Sequence, residues 1–457
     1  MKDELINLIH QSNPWFKNTT LPVFKDGYIA RLQTEKLLLP EWDNLWLILI
    51  GPRQAGKTTL AKYLSQALIK GQRFNNLLYL NCDLLEIRRW LTNPLFIKEA
   101  MDELHLERPI ILIDEVQRLE TPGLLLKACA DLKLDIKMIA TGSSQLEMKS
   151  KVQEYLTGRH LEALVLPLSY QEIGEVDESQ LIYGCYPAIV KASEKSILLR
   201  KIYQDYIKKD IIEILKVSKP DTMQKLITLI AHSSGQLVNY NQLATDCQVS
   251  ISTIQNYLSI LENTYTIARI TPFVGNKRKE ITSNPIFYFI DNGFRNQSLR
   301  NLSTSLNGRQ DIGLLIQSAV FQELLKFKEQ YFYDFVIHFW RTQNGAEVDF
   351  VLYKNENCII PVEVKFKTMK KPIISRSFRS FTEAYKPKVG FFITKNFNKK
   401  IELNNCEIYF ISFSRLFNFF VNFKNSALKD KHQSGCFFLR KQHRGRGRAM
   451  GLIGVGV

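Results

Sequence analysis

Residues 45–58, LWLILIGPRQAGKT, contain the strongest structural signal in this chain. An apolar run is followed by G-x-x-x-x-G-K-T and then by a helical stretch, LAKYLSQALIKG. A buried strand, a glycine-containing loop and a helix in this order are typical of a phosphate-binding loop. Gly51 and Gly56 permit backbone conformations that a side chain would forbid. The loop N–H groups and the helix N-terminus can then face an anion, so the stretch predicts a nucleotide site.

The polar residues of this loop predict how ATP would be held. Lys57 is expected to reach the β- and γ-phosphates, and the Thr58 hydroxyl is expected to bind Mg²⁺. The alternative is a glycine-containing turn before a helix, which the strand–loop–helix order disfavours. The residues predicted to bind the nucleotide are Gly51, Pro52, Arg53, Gln54, Ala55, Gly56, Lys57, Thr58 and Thr59.

A second apolar run, Ile110–Ile113, ends in Asp114 and Glu115. After a phosphate-binding loop, Asp114 is expected to hold Mg²⁺ through water, and Glu115 to polarise the attacking water. The alternative interpretation, which the run alone would favour, is a strand that ends in solvated carboxylates without a catalytic role. The runs at 45–50, 77–81, 110–113 and 136–141 alternate with amphipathic stretches, which is typical of a parallel sheet with crossover helices.

The last of these runs ends in hydroxyl side chains. Ligands of open α/β sheets bind outside the carboxyl ends of the strands, so Thr141 or Ser143 is a candidate sensor of the γ-phosphate. Arg159, just before the next predicted strand, is a candidate arginine finger that acts on the nucleotide of a neighbouring subunit. That role predicts a homo-oligomer. A surface ion pair is the alternative for Arg159.

The chain resembles the prokaryotic AAA-type (AAA+) ATPases that carry a C-terminal domain of unknown function, DUF4143. The resemblance extends over about residues 40–400. The segments that carry it are GPRQAGKTTL, IILIDEVQRLE, IATGSSQLEM, LTGRHLEALVLPLSYQEI, YGCYPAIV, YFIDNGFRN, GAEVDFVL and PVEVKFK.

The resemblance implies an α/β chain with an AAA+-like ATPase core, a helical and winged-helix middle, and a restriction-endonuclease-like C-terminal α/β domain. It implies no particular substrate. The predicted divisions are an N-terminal helical segment at 1–30, the ATPase domain at 31–175, the helical and winged-helix region at 176–300, the DUF4143-like domain at 301–420 and a basic, disordered tail at 421–457.

Residues 241–262 have the spacing of a helix-turn-helix, with the turn near Gln248–Ser250. A basic loop between two β-like stretches then resembles a wing. Two interpretations stay open: contact with DNA, or packing of this region against the ATPase. The candidate DNA contacts are Ser252, Gln255 and Asn256 for bases, and Lys277, Arg278 and Lys279 for phosphates.

Acidic and basic residues alternate on two late strand patterns. Alternate residues of a strand share a face, so Asp349 can converge with Glu363 and Lys365 if the two strands pair. Asp349 and Glu363 would offer oxygens to Mg²⁺, and Lys365 would orient or deprotonate water. This pattern resembles that of PD-(D/E)XK nucleases. A hairpin with one charged face is the alternative, and Gln317 stands where the family often has Glu, a carboxylate that Gln lacks.

The net charge of +16 is unevenly distributed. Residues 411–457 hold nine Lys and Arg against one Asp, which is half of that charge. The seven cysteines form no C-x-x-C pair, a pattern that suits reduced thiols. The N-terminus has no signal-peptide pattern, and no apolar run is long enough to cross a membrane. We therefore expect a cytoplasmic protein.

Three functional hypotheses follow. The first is an ATPase that uses ATP and Mg²⁺ to switch its C-terminal domain or to remodel a partner, either DNA or an unidentified protein. The second adds a metal-dependent DNA nuclease under ATP control. The third is an ATPase that binds DNA or protein without cleaving it.

Overall fold

The structure is a computed structural model that describes residues 3–18, 28–93, 95–143, 159–174, 177–207, 211, 217–274, 284–302 and 305–416. Five parallel strands form the first sheet, in the order β2-β3-β4-β1-β5. The strands are β1 (Trp46–Ile50), β2 (Leu77–Asn81), β3 (Ile110–Asp114), β4 (Lys137–Gly142) and β5 (His160–Leu164). The helices around them are α1 (Asp3–Ser12), α2 (Trp15–Asn18), α3 (Thr34–Leu37), α4 (Lys57–Lys70), α5 (Leu85–Trp90), α6 (Phe96–Glu103) and α7 (Pro122–Asp131). The predicted parallel sheet with crossover helices is confirmed.

Both faces of this sheet are buried at β1, β3 and β4, which explains why these strands are mainly apolar. Leu47 and Leu49 of β1 pack in one cluster with residues of α4. Ile48 and Ile50 point the other way and join a cluster with residues of α1, α5, α6 and α7. The sheet is therefore a middle layer between helices, and β1, which leads into the phosphate-binding loop, lies between β4 and the edge strand β5.

The N-terminal segment covers the edge of the sheet at β2. The Asn13 side chain donates to the carbonyl of Tyr79 at 3.0 Å and accepts from the Tyr79 N–H at 2.6 Å. The indole N–H of Trp15 donates to the carbonyl of Leu77 at 2.7 Å. These bonds satisfy backbone groups that an edge strand otherwise leaves open.

The middle of the chain is mostly helical. Its helices are α8 (Tyr170–Ile173), α9 (Glu178–Tyr183), α10 (Pro187–Lys191), α11 (Lys195–Asp205), α12 (Pro220–His232), α13 (Tyr240–Cys247), α14 (Ile251–Asn263) and α15 (Asn292–Ser298). The side chains of Asn239 and Ser250 cap α13 and α14, so these two helices begin where such caps predict. An antiparallel pair, β6 (Ile267–Ile270) and β7 (Ile286–Phe289), follows α14.

The second sheet has six strands in the order β12-β13-β11-β10-β9-β8. The strands are β8 (Val336–Arg341), β9 (Glu347–Asn355), β10 (Cys358–Lys365), β11 (Val389–Thr394), β12 (Lys399–Leu403) and β13 (Cys406–Ser412), with helices α16 (Ile312–Gln330) and α17 (Arg376–Tyr385). β8, β9 and β10 pair antiparallel, whereas β10, β11 and β13 pair parallel. This confirms a mixed α/β domain at the C-terminal end.

One strand of this sheet was not predicted. β12 is an edge strand, and its residues are exposed or half-buried. It therefore lacks the apolar run that identifies the other strands, and its pairing with β13 becomes visible only in three dimensions.

A buried ion pair joins α16 to the chain that follows β5. The Lys326 ammonium contacts the Glu323 carboxylate and the carbonyl of Leu168, both at 2.9 Å. The second oxygen of Glu323 accepts from the N–H of Tyr170 at 3.0 Å. Glu323 thus has a structural role, and one hydrophobic core runs from Leu168 to the C-terminal sheet.

Other expectations fall on parts of the chain outside the described residues. These are the basic wing with Lys277, Arg278 and Lys279, and the tail at 421–457. The six cysteines that the structure describes are buried and unpaired. Among the described residues, no helix is both long and apolar enough to cross a bilayer.

Candidate functional site

The phosphate-binding loop leaves β1 at its carboxyl end and passes into α4. Gly51 has φ +141°, and a Cβ there would lie 2.2 Å from the carbonyl oxygen of Val165. Gly56 has φ +97° and precedes the first residue of α4. Gly51 is needed because the backbone just after β5 lies too close for a side chain. Gly56 is needed because its backbone is left-handed.

Lys57 turns back into its own loop. It is 4% exposed, and its ammonium donates to the carbonyls of Gly51 and Pro52, both at 2.9 Å. A buried ammonium needs such acceptors. A phosphate group in the loop would offer oxygens to the same ammonium.

Asp114 lies at the carboxyl end of β3, beside the loop. One of its oxygens accepts from the hydroxyls of Thr58 at 2.8 Å and Thr141 at 2.5 Å. The other accepts from the Tyr79 hydroxyl at 3.0 Å. The structure thus brings together Thr58 and Asp114, the two residues predicted to hold Mg²⁺, with the candidate sensor Thr141.

Glu115 continues from Asp114 with a left-handed backbone, φ 56° and ψ 45°. This conformation is uncommon outside glycine and is frequent at functional sites. The Glu115 N–H donates to the Thr141 hydroxyl at 3.0 Å, and its carboxylate accepts from Ser143 at 3.2 Å and from Gln117. Thr141 and Ser143 therefore differ: Thr141 contacts Asp114, and Ser143 contacts the Glu115 carboxylate.

Sequence reasoning missed three side chains at this site. Tyr79 and Gln117 bind the two acidic residues, as described above, and Lys62 lies with its ammonium 4.0 Å from the centre of the Tyr79 ring. Burial lowers the pKa of Lys62, and the nearby Asp114 carboxylate opposes this effect. The only signal in the sequence is a tyrosine within the otherwise aliphatic run at 77–80.

A buried arginine supports the loop from outside the motif. Arg31 donates to the carbonyl of Ala55, in the loop, at 3.4 Å and to the carbonyl of Leu166. Its guanidinium also pairs with Glu172 at 3.2 Å, and both side chains are almost fully buried. The segment before β1 and the segment after β5 are thereby attached to the loop.

Arg159 lies at the opposite end of the sheet from the loop. Its carbonyl accepts from the N–H of Trp46, at the start of β1. Its guanidinium is 3.6 Å from Asp131, and both side chains are more than half exposed. Arg159 therefore lies away from the loop of its own chain. Two interpretations of this side chain remain: an ion pair with Asp131, or a contact with another subunit.

The C-terminal acidic residues also come together. β9 and β10 pair antiparallel up to Phe350 and Val362. Just beyond this pair, Asp349 accepts from the N–H of Val364 at 2.7 Å and from the Gln317 amide at 2.8 Å. Glu363 is 2% exposed and accepts from Lys365 at 3.0 Å and from the Ser375 hydroxyl at 2.8 Å.

The protonation of this cluster depends on burial and on its neighbours. Burial raises the pKa of Asp349 to about 7; Glu363 adds to this effect, while the Val364 N–H and Lys365 oppose it. Burial alone would lower the pKa of Lys365, but the adjoining Glu363 carboxylate outweighs it and the pKa is raised. Lys365 is therefore a charged ammonium, suited to orient a water or a phosphate rather than to accept a proton.

The cluster offers two carboxylates and one neutral amide. Gln317 occupies a position from which a carboxylate would have faced Asp349. Hard divalent cations prefer several anionic oxygens. Within the described ranges, no three His, Cys, Asp or Glu side chains converge in a way that would hold a metal.

The predicted base contacts in the middle region lie on the surface of α14. Ser252, Gln255 and Asn256 are all exposed. An open groove of about 660 Å³ lies between α13 and the start of α14. The face of α13 and α14 that carries these side chains and the groove is therefore accessible to solvent.

Family comparisons divide the chain into three matched regions. Residues 43–174 match an AAA domain, residues 177–305 match a domain of unknown function (DUF8612), and residues 312–414 match DUF4143. The chain therefore combines an AAA-type ATPase domain with a C-terminal DUF4143 domain, as the sequence motifs indicate.

Two bacterial proteins are similar to this chain over most of their length. An uncharacterized protein of Haemophilus influenzae is 24% identical over 394 residues, which cover 80% of this chain and 92% of that protein. An uncharacterized protein of Mycobacterium tuberculosis is 25% identical over 340 residues, which cover 73% of each chain.

Solved structures are similar only at a low level. AMPPCP-bound DnaA from Aquifex aeolicus is 15% identical, with a TM-score of 0.28 over 55% of this chain and 92% of that chain. PCH-2 from C. elegans is 16% identical, with a TM-score of 0.25 over 57% of this chain and 70% of that chain. At these scores we draw no conclusion from either structure.

The raised pKa of Asp349 predicts a stability effect. Its folded-state pKa lies above the ordinary value, so the protonated form stabilises the fold and this contribution is lost as pH rises through about 7. We expect Asp349→Asn to gain on the order of 1–2 kcal/mol relative to the wild type between pH 5.5 and pH 8.5. Urea unfolding in EDTA at both pH values measures this.

Glu356→Gln is the matched control, because Glu356 lies in the turn after the same strand and is exposed. Its stability relative to the wild type should change little with pH. An equal pH dependence in both variants would contradict the assignment to Asp349.

Proposed function

We propose that the chain is an ATPase that binds ATP with Mg²⁺, hydrolyses ATP slowly and uses the nucleotide state to switch its C-terminal domain. The observation that carries this proposal is the contact between Thr58 and Asp114 under the loop, at 2.8 Å. These residue types adjoin in P-loop ATPases because the hydroxyl binds Mg²⁺ directly and the aspartate holds it.

The other residues of the site have roles that follow from their positions. The backbone N–H groups of the loop, residues 51–59, hold the phosphates, and Lys57 exchanges its two carbonyl acceptors for phosphate oxygens. Glu115 orients the attacking water, and Ser143, at 3.2 Å from its carboxylate, reports on that water. Thr141 contacts Asp114 and so senses the metal.

Hydrolysis also needs positive charge opposite the γ-phosphate. In this proposal the guanidinium of Arg159 supplies it from a neighbouring subunit, because Arg159 lies at the far end of the sheet in its own chain. The proposal therefore includes a homo-oligomer, whose nucleotide sites lie between subunits.

The switch begins where the loop meets the middle region. A Cβ on Gly56 would lie 3.7 Å from the ring of Pro187, the first residue of α10. Two residues earlier, the N–H of Cys185 donates to the buried Asp291 carboxylate at 2.7 Å. A change in the conformation of the loop when ATP binds therefore alters the position of the segment 184–187.

The same contacts continue into the C-terminal domain. Asn292, next to Asp291, donates to the carbonyl of Leu315 at 3.2 Å and accepts from Gln322 at 3.0 Å. Both partners belong to α16, which also carries Gln317, the residue that binds Asp349. A contiguous set of packed and hydrogen-bonded groups therefore joins the nucleotide loop to the C-terminal acidic cluster.

Two substitutions test the nucleotide site separately. Lys57→Ala should weaken ATP binding at least tenfold, because it removes the charge that faces the phosphates. Glu115→Gln should keep ATP binding but slow turnover by about 10²-fold, because the water loses its orienting base. A fluorescent ATP analogue measures binding, and phosphate release measures turnover.

Lys70→Ala is the control, since Lys70 is exposed at the last turn of α4, away from the loop. It should behave as the wild type. Unchanged binding and turnover in Lys57→Ala would refute the proposal.

Hydrogen exchange tests the switch. A non-hydrolysable ATP analogue with Mg²⁺ should slow amide exchange at residues 184–187 and at the start of α16, because the loop restrains the first segment and Asp291–Asn292 transmit this restraint. Mass spectrometry of peptides from these segments gives the measurement. In Lys57→Ala the effect should disappear; protection confined to residues 51–60 in the wild type would leave the ATPase intact but contradict the switch.

The second candidate function is a metal-dependent nuclease, and the convergence of Asp349, Glu363 and Lys365 favours it. The two carboxylates would hold Mg²⁺ or Mn²⁺, and the Lys365 ammonium would stabilise charge on the phosphate. Gln317 limits this activity, because it supplies an amide where a third carboxylate would strengthen metal binding.

Cleavage of plasmid DNA in Mn²⁺ tests this candidate. Asp349→Ala should abolish cleavage and Glu347→Gln should not. Gln317→Glu should increase cleavage several-fold, since it adds an anionic oxygen beside Asp349. Absence of cleavage in the wild type and in Gln317→Glu, with or without ATP, would reject the nuclease and leave the ATPase proposal unaffected.

A further inference from the structure

The C-terminal domain carries a concentrated positive charge. Between residues 365 and 400 the chain has eleven Lys and Arg and a single acidic residue, Glu383. This stretch lies within the described residues and is distinct from the basic tail. A run of like charge is often only a solvated surface, so its meaning depends on where the fold puts these side chains.

The sheet topology gathers many of them at one edge. β10, β11 and β13 are parallel, so their carboxyl ends lie together, and Lys365 pairs with Thr394 at these ends. β12 runs antiparallel to β13 and begins at the same edge, where Lys399 pairs with Phe410. We call this surface the basic edge. Its members are Lys365, Lys367, Lys370, Lys371, Lys395 and Lys399.

The loops at this edge are attached to one another. The N–H of Met369 donates to the Asn396 side chain at 3.3 Å, which brings the loop after β10 to the loop after β11. The N–H of Ser412 donates to Asn398 at 2.9 Å. Lys370 and Lys371, next to Met369, therefore lie beside Lys395.

These charges are exposed and largely uncompensated. All six lysines of the basic edge are exposed. Lys365 is paired with Glu363, and the Lys395 ammonium lies 5.9 Å from the centre of the Phe366 ring. For the other four lysines, the part of the chain that the structure describes contains no acidic partner within ion-pair distance. Unpaired like charges held on one rigid edge attract a multivalent anion.

The edge has the dimensions of a polyanion site. From β10 to β12 the strands are three spacings apart, which is about 14 Å. A nucleic-acid duplex presents about eight phosphate charges over this length. Asp349 and Glu363 lie near the same edge, close to the carboxyl end of β10, so a bound backbone would pass near them.

We propose that the basic edge binds the phosphodiester backbone of a nucleic acid. The proposed ATPase site includes no surface for a partner. Binding of a nucleic acid at the basic edge does not depend on ATP hydrolysis. A membrane is disfavoured because, among the described residues, Ile373 is the single exposed large apolar side chain beside the edge, too little for an apolar face that enters a bilayer. An acidic protein would offer fewer and less regular charges than a phosphate backbone.

The test compares two pairs of lysines in the full chain. Lys395→Ala/Lys399→Ala removes two charges from the basic edge. Lys386→Ala/Lys388→Ala removes two equally exposed charges from the opposite end of the sheet, just before β11. Both variants keep the helix-turn-helix and the basic tail, so a difference between them belongs to the edge.

Binding is measured by fluorescence anisotropy with labelled 30-nucleotide single-stranded DNA and with a 30-base-pair duplex. EDTA is present so that cleavage cannot occur, and the salt concentration is varied from 50 to 200 mM. We expect the edge variant to bind at least about fivefold more weakly at 50 mM salt. The slope of log K against the logarithm of the salt concentration should become shallower by about 1.5–2, because two phosphate contacts are lost. The control variant should match the wild type.

Each other outcome contradicts the proposal. These outcomes are the absence of DNA binding by the wild type at 50 mM salt, an equal loss in both variants, and equally tight binding of phosphatidylserine vesicles or poly-glutamate through the same lysines. Lys57→Ala should bind DNA as the wild type does. A failure of the ATPase proposal therefore leaves this test unaffected.

Discussion

The buried carboxylate of Asp291 is the constraint on which the arrangement of the chain depends. It is 2% exposed and accepts from the N–H groups of Cys185, Gly293 and Phe294. Burial raises its pKa, and these N–H groups oppose the rise. A buried carboxylate without such donors would cost several kcal/mol. These contacts therefore hold the segments 183–187 and 291–296 together.

Two glycines make this contact feasible. A Cβ on Gly184 would lie 1.9 Å from the Asp291 carboxylate, and one on Gly293 would lie 2.1 Å from the carbonyl of Tyr183. This explains why YGCYP and IDNGF contain glycine at these positions. Because Pro187 reaches the nucleotide loop and Asn292 reaches α16, the same contact lies between the two sites of the molecule.

The sequence predicted those features that are local. The loop at 51–58, the acidic end of β3 and the two helices around Gln248 depend on spacing within a short stretch, and the structure has the corresponding elements. Tyr79, Lys62, Arg31 and Gln117 escaped prediction, because each becomes part of the nucleotide site only through contacts between elements distant in sequence or through an unusual backbone turn. β12 escaped for the same reason, since an exposed edge strand has no apolar pattern of its own.

The carboxylates of Asp114 and Asp349 have different hydrogen-bond partners and neighbouring charges, and this difference argues for different roles. Asp114 accepts from three hydroxyls, which can turn away when a cation arrives. Asp349 is half-buried beside Glu363 and faces the neutral amide of Gln317; burial raises its pKa to about 7, so it is partly protonated near neutral pH. A cation must displace that proton, and the surrounding lysines repel the cation unless a polyanion is bound first. In the two proposals, occupation of the basic edge and metal binding at Asp349 would be linked: a phosphate backbone across the edge would lower the potential at the carboxylates and so favour a metal ion beside them.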